Sequence, residues 1–338
     1  MFKRKSAKVI AYAIVGCLTN LQFAEAQQAL STSTIELEKP KMIRRARPSG
    51  YSLPIAGELK LATGYIYGDG TKKTSTGLST TESKSTFAVG GSYGILRNLY
   101  TALELNVVQS VVKQQNNAVT TGNESTSTRE GLANPKLTLG LQFPRNPLTF
   151  VLGAAASLGL EERRSELVAG GNLKGNVSTG HSITPFLLAH NNSQSFLFGG
   201  RLGYQIKDKR SEKIEGLTSV AASINGVQNA TSTSKTIETT GGNSVIADLF
   251  MELPRFYGSQ LKLAYSSSEK TKEFSSSSGQ TTPSDGSDKL EVSASAAFGV
   301  FDNMALVPLV TYETQLSKSN GVDSSTMISG GLFLGMSF

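Results

Sequence analysis

Nine charged side chains sit where apolar residues alternate with small or polar ones: Glu58, Lys60, Glu104, Lys136, Arg201, Asp248, Glu252, Lys262 and Glu291. Glu313 follows the same pattern less cleanly. Acids and bases interleaved on one face can do one of two things. They can line a water-filled path, where opposed charges set a transverse field that orders polar solutes at a constriction. Alternatively, they can neutralise one another and hold a wall shut. Neither is catalysis. The only histidines, His181 and His190, belong to no metal-ligand spacing and no nucleophile motif, so the chain is read as a non-enzyme with no catalytic residue, no metal and no cofactor. The net charge of +7 lacks a basic, aromatic-interleaved surface, which argues against a nucleic-acid partner.

The elements that must carry these charges read as strands. Ile55–Tyr67 sets Leu59, Leu61, Tyr65 and Tyr67 against Glu58, Lys60 and Ala62. Segments beginning near Phe87, Leu99, Leu137, Leu148, Phe196, Val245, Leu261 and Leu290 repeat that two-residue period, the signature of a strand with one apolar face. Ser182–His190 and Met304–Gln315 alternate poorly and carry Pro185 and Pro308, which are expected at strand irregularities. With the C-terminal segment this makes about twelve strands, each near the ~9–11 residues that cross a bilayer at a tilt. Short turns (Leu96–Asn98, Pro144–Pro147, Asn191–Ser193, Pro254–Gly258, Asp302–Asn303) alternate with long polar links, the longest being Lys207–Gly242.

Residues 1–26 have the form of a secretory signal. Lys3, Arg4, Lys5 and Lys8 precede an apolar stretch to Phe23, and Ala24-Glu25-Ala26 is a small-x-small cleavage site. A competing lipobox reading rests on Ile14-Val15-Gly16-Cys17. Cleavage after Ala26 removes those four bases and Glu25, lowering the net charge from +7 to +4. It also removes Cys17, the single cysteine, so no disulfide framework is available. Residues 27–54, with Arg44, Arg45 and Arg47, then form either a tail or a plug, and 55–338 form one domain.

The opposite strand faces differ too much for a dry sandwich, and an open sheet would leave unprotected edges. In lipid every backbone group must be paired, so the sheet must close. The expected fold is all-β: a single closed antiparallel transmembrane barrel of about twelve strands, with short turns at one end and long loops at the other. Aromatics near strand ends (Tyr65, Tyr67, Tyr204 and Tyr265 beside long loops; Tyr93, Phe143, Phe150, Phe298 and Phe338 beside short turns) fit the belts at the two membrane interfaces.

With its signal and its terminal strand Gly330–Phe338, the chain resembles Gram-negative outer-membrane β-barrel proteins of the porin kind. That resemblance implies an integral outer-membrane location with both termini periplasmic. It also implies that Leu332, Leu334, Met336 and Phe338 form the signal read by the barrel-assembly machinery. Tyr93–Leu99 and Gly131–Gly140 are similar to motifs of the barrel family of the MetA pathway of phenol degradation, which implies a transporter. Basic residues where strands meet the outer loops, Arg163, Arg164, Lys207, Lys209 and Arg210 foremost, are placed to meet lipopolysaccharide phosphates or simply to be solvated. Lys72, Lys73, Lys270 and Lys272 share that height. The functions expected are a channel for small solutes or, alternatively, a plugged structural or adhesive surface barrel.

Overall fold

The computed structural model describes Pro54 and residues 56–74, 78–116, 124–145, 147–160, 162–168, 172–191, 196–220, 230–253, 259–301, 303–317 and 322–338. The signal and the expected tail or plug, apart from Pro54, lie outside the described residues, as does the turn at 254–258.

Among the described residues, twenty strands follow in chain order: β1 Leu59–Thr74, β2 Leu78–Leu96, β3 Leu99–Asn116, β4 Glu124–Leu132, β5 Lys136–Arg145, β6 Leu148–Ser157, β7 Arg163–Val168, β8 Asn172–Gly175, β9 Ser182–Asn191 and β10 Leu197–Lys207. Then come β11 Arg210–Val220, β12 Ala230–Gly241, β13 Ser244–Leu253, β14 Ser259–Ser268, β15 Thr271–Ser275, β16 Gln280–Ser284, β17 Ser287–Ser295, β18 Phe298–Phe301, β19 Met304–Gln315 and β20 Val322–Ser337. Twelve of them close an antiparallel barrel in the order β1, β2, β3, β5, β6, β9, β10, β13, β14, β17, β19, β20. The seam pairs the first stave with the last: Lys60 lies opposite Ser337, and Leu59 and Phe338 exchange backbone hydrogen bonds of 3.0 and 2.8 Å. Closure leaves no edge among the staves, which is what a low-dielectric surround demands.

The outer face is apolar from stave to stave. Leu152, Leu187, Leu202, Leu249 and Leu332 are each about half exposed, and the terminal Phe338 is 54% exposed. A patch this continuous is foreign to the surface of a water-soluble monomer but suited to hydrocarbon. Leu332, Leu334, Met336 and Phe338 all project from this face of β20, alternating with the buried inward Phe333. The upper limit of the band is marked by tyrosines whose rings face outward while their hydroxyls reach an acid just above: Tyr67 to Asp69 (2.9 Å), Tyr204 to Glu269 (2.9 Å) and Tyr265 to Asp288 (3.1 Å). An apolar ring with a wet polar tip is the chemistry of a membrane interface.

Two expectations need correction. The first stave starts at Leu59, not Ile55, and runs on to Thr74. More generally, several long polar links are not irregular. β1, β2 and β3 continue upward, and β4, β7, β8, β11, β12, β15 and β16 add a wall above the barrel. The Ser- and Thr-rich composition that reads as loop suits a strand wetted on both faces, because the ladder bonds need no apolar face. The prolines sit at irregularities, as expected. The β9–β10 ladder skips the positions opposite Pro185 and Thr184, and β17 gives way to β18 at Ala296, whose N–H reaches the Pro308 carbonyl at 3.3 Å. A residue without an N–H cannot complete the ladder on both sides.

Candidate functional site

The inner face collects every one of the nine expected charges, and register determines which meet. Lys136 of β5 lies directly opposite Glu104 of β3, with Nζ and carboxylate 3.8 Å apart. Arg201 of β10 lies opposite Asp248 of β13, and the two form a close ion pair with the carboxylate almost fully buried. Lys262 of β14 reaches Glu291 of β17 at 3.0 Å, one step diagonal to its register partner. Lys60 and Glu58 share the inner side of the first stave at 3.7 Å. Glu252 is 1% exposed. Lys289 and Glu313 extend the set, 2.7 Å apart. Lys289 was missed from sequence, although the frame set by Glu291 already placed it on this face. Most of these pairs join neighbouring staves along the wall, an arrangement that neutralises charge locally.

Between the pairs the inner face is more apolar than alternation implies. Tyr100, Val151, Phe186, Leu188 and Phe250 form one buried cluster, and Ala297, Ala305, Val307 and Phe333 form another. Four of the aromatics lie over a glycine directly opposite on the next stave: Tyr100 over Gly140, Phe186 over Gly153, Phe250 over Gly199 and Phe333 over Gly64. A Cβ at any of the four would come within 3.0 Å of ring atoms. At these positions an inward glycine does not open space in the lumen. Here glycine makes room for a ring laid flat on the sheet, a device that repairs the packing defect a glycine otherwise leaves in a strand.

Above the barrel, the wall changes its strand order. β6 continues as β7 and β9 is preceded by β8, yet β8 pairs in parallel with β4, and β7 pairs in parallel with β11. The chain segments joining β6 to β7 and β8 to β9 must therefore cross. They do so at Gly159 and Gly180, where a Cβ on Gly159 would lie 2.9 Å from the Gly180 carbonyl carbon. Gly180 has φ +77°, which side-chain-bearing residues rarely adopt. Asn134 clamps the crossing. Its amide donates to the Gly180 carbonyl and to Thr179 Oγ1 (3.2 Å), while its oxygen accepts from Ser178 Oγ and the Thr179 N–H, each at 3.3 Å. The His181 ring accepts the Gly159 N–H at Nδ1 (3.1 Å), and His190 lies at the far end of β9 beside the Asn191 carbonyl, so the two histidines share no site.

Glu212 of β11 ties the crossed layer together. Its carboxylate accepts Ser165 Oγ at 2.5 Å and Arg129 Nη2 at 3.0 Å, and Arg163 Nε stands 3.1 Å away. Burial alone would raise its pKa, but Ser165, Arg163 and Arg129 together hold the carboxyl below the usual range. Burial lowers the Arg163 pKa, Glu212 opposes that, and Arg129 and Arg210 add to it. The five basic residues expected to meet lipopolysaccharide divide here. Register places Arg163, Arg210 and Lys207 on the inner side. Arg164 and Lys209 stay outward and exposed, paired with Glu162 (3.4 Å) and Glu238 (2.7 Å).

No family model matches the chain, and no curated protein matches it. Among solved structures it is similar to an outer membrane channel from Pseudomonas putida F1, at 10% identity and TM-score 0.52, covering 90% of this chain and 100% of that one. The transport unit of the autotransporter AIDA-I from Escherichia coli aligns at 13% identity and TM-score 0.46, over 93% and 97% of the two chains. The monoaromatic hydrocarbon channel TodX aligns at 8% identity and TM-score 0.44, over 84% and 91%. At such identity the likeness to the Pseudomonas putida F1 structure shows the fold alone: this chain is a closed antiparallel β-barrel of the kind that outer-membrane proteins form, as its resemblance to that class implies.

Proposed function

We propose that the protein is an outer-membrane channel through which small solutes pass passively or with weak selectivity, its short turns and both termini in the periplasm. The observation that carries this reading is the contrast between the two faces of one closed sheet, with leucines outward and acid–base pairs inward. A solved structure of the same fold, that from Pseudomonas putida F1, is described as an outer membrane channel. Planar-bilayer recording on the pure, folded protein tests the proposal. Discrete ion-conducting steps are expected, and their absence from a sample of proven fold defeats it.

A second reading, a plug, is favoured by a specific contact. Pro54 is buried, and its carbonyl accepts the inward Gln142 side chain of β5 at 3.5 Å. A plug would bring the bases Arg44, Arg45 and Arg47 to the inner acids, such as Glu104 and Glu313, that keep some exposure. Deleting residues 27–48 should raise single-channel conductance severalfold, whereas unchanged conductance removes the plug. A permanently plugged barrel would serve as a structural or adhesive surface protein, and it would show neither conductance nor solute-induced vesicle swelling. Arg164 and Lys209 are the basic residues we place against lipopolysaccharide. Leu332, Leu334, Met336 and Phe338 are those we place against the assembly machinery.

A further inference from the structure

We propose that the inner wall above the barrel carries a binding site for a small monocarboxylate with an apolar body, centred on Arg210, Arg163 and Arg129. The site deepens the channel reading, because its role as a capture point on the way in depends on that reading.

The argument starts from register. Arg129 lies opposite Gly175, Gly175 opposite Ser165, and Ser165 opposite Ile214, so these residues share one face across β4, β8, β7 and β11. Arg163 and Glu212 lie opposite one another on the same face. Arg210 precedes Glu212 by two residues, which returns it to that face, where its Cγ packs against Gly180. Lys207 reaches the same mouth from β10, donating to Ser244 Oγ at 3.0 Å, and lies within Coulombic range of Arg210.

Charge balance separates this cluster from the lumen below it. In the barrel proper most bases stand beside an acid. Here Arg129 and Arg163 share the one carboxylate of Glu212, and Arg210 and Lys207 stand close by. Arg129 Nη1 is buried and has no hydrogen-bond acceptor among the described residues, and neither Arg210 nor Lys207 has an acidic partner among them. Like charges held this closely in a half-shielded wall repel unless an anion joins them.

The wall itself indicates which anion. Glu212 is already a carboxylate held by two guanidinium groups and a hydroxyl, and planar guanidinium matches carboxylate with two parallel N–H donors. Beside the charges the same face carries apolar residues among polar ones, Lys235 lying opposite Ile214 and Ser127 opposite Leu173. Ile214 is buried, and the row beyond it pairs Leu167 with Leu173. A carboxylate on a short apolar body satisfies both halves.

Calorimetric titration of benzoate into the full mature protein, folded in detergent, tests the site without requiring an open pore. Benzyl alcohol, of similar size but uncharged, serves as the control. Binding of benzoate at least roughly tenfold tighter than benzyl alcohol is expected, as is a roughly tenfold loss in Arg210→Gln, the typical effect of losing one charged hydrogen bond. Arg210 holds no acid, so this variant should fold, which heat-modifiable migration checks. Failure of the wild type to bind benzoate, or equal binding by Arg210→Gln, overturns the site. Parallel bilayer recordings separate the two readings. Conductance without benzoate binding removes the site and spares the channel, whereas benzoate binding without conductance spares the site and removes the channel.

Discussion

Gly153 and Phe186 show what single residues contribute to this wall. The ring occupies the space that a side chain on Gly153 would take, so Gly153→Ala forces the ring and its neighbours to move. Overpacking of this kind costs about 1–3 kcal/mol, and the urea midpoint of the variant refolded in lipid vesicles should fall accordingly. An unchanged midpoint would mean the ring is not seated as described. Glu212 gives a pH dependence. Its pKa is depressed in the fold, so its stabilisation is complete above the ordinary carboxylate range and is lost as the pH falls below that range. Dipolar broadening in the continuous-wave spectrum of nitroxides on Thr128 and Lys174 should therefore be strong at neutral pH and weaken on acidification, but stay weak throughout in Glu212→Gln. The inward charges were legible because alternation with leucine and valine supplies a frame in which Glu104 or Lys262 can face only one way. Aromatic–glycine pairs were not legible. Their partners lie on different staves, and nothing local to Gly140 specifies that Tyr100 will stand opposite.

At the scale of elements, the rhythm of short and long links was readable because a membrane gives its two sides different demands. The strand content of the long links was not, since Ser- and Thr-rich segments such as Lys207–Gly242 lack the apolar face by which strands are usually found. The crossing of β7 and β8 was also hidden. Its residues (Gly159, Gly180, Asn134) are ordinary turn formers when read one at a time, and only the parallel pairings reveal the exchange. Cysteines replacing Thr128 and Lys174, register partners in the parallel β4–β8 pair, should crosslink under mild oxidation, because such partners lie within disulfide reach. Without the crossing β8 would stand beyond β7 from β4, and no crosslink would form.

For the whole molecule, the decisive relation is between a sheet and its two solvents. Closure satisfies the backbone, the outward leucines and terminal tyrosines fit hydrocarbon and its interface, and the inward pairs let charge persist within a thin wall. The passage of solutes is a consequence of that arrangement and depends on what fills the lumen, which conductance with and without residues 27–48 will report. The arrangement itself is tested most directly on β20, by nitroxide labels placed singly from Ile328 to Leu334 in lipid vesicles. Labels at Ile328, Gly330, Leu332 and Leu334 should collide chiefly with oxygen dissolved in the bilayer, whereas those at Ser329, Gly331 and Phe333 should be shielded from it. Loss of this two-residue alternation, or oxygen access greatest at Ser329, Gly331 and Phe333, would contradict the account.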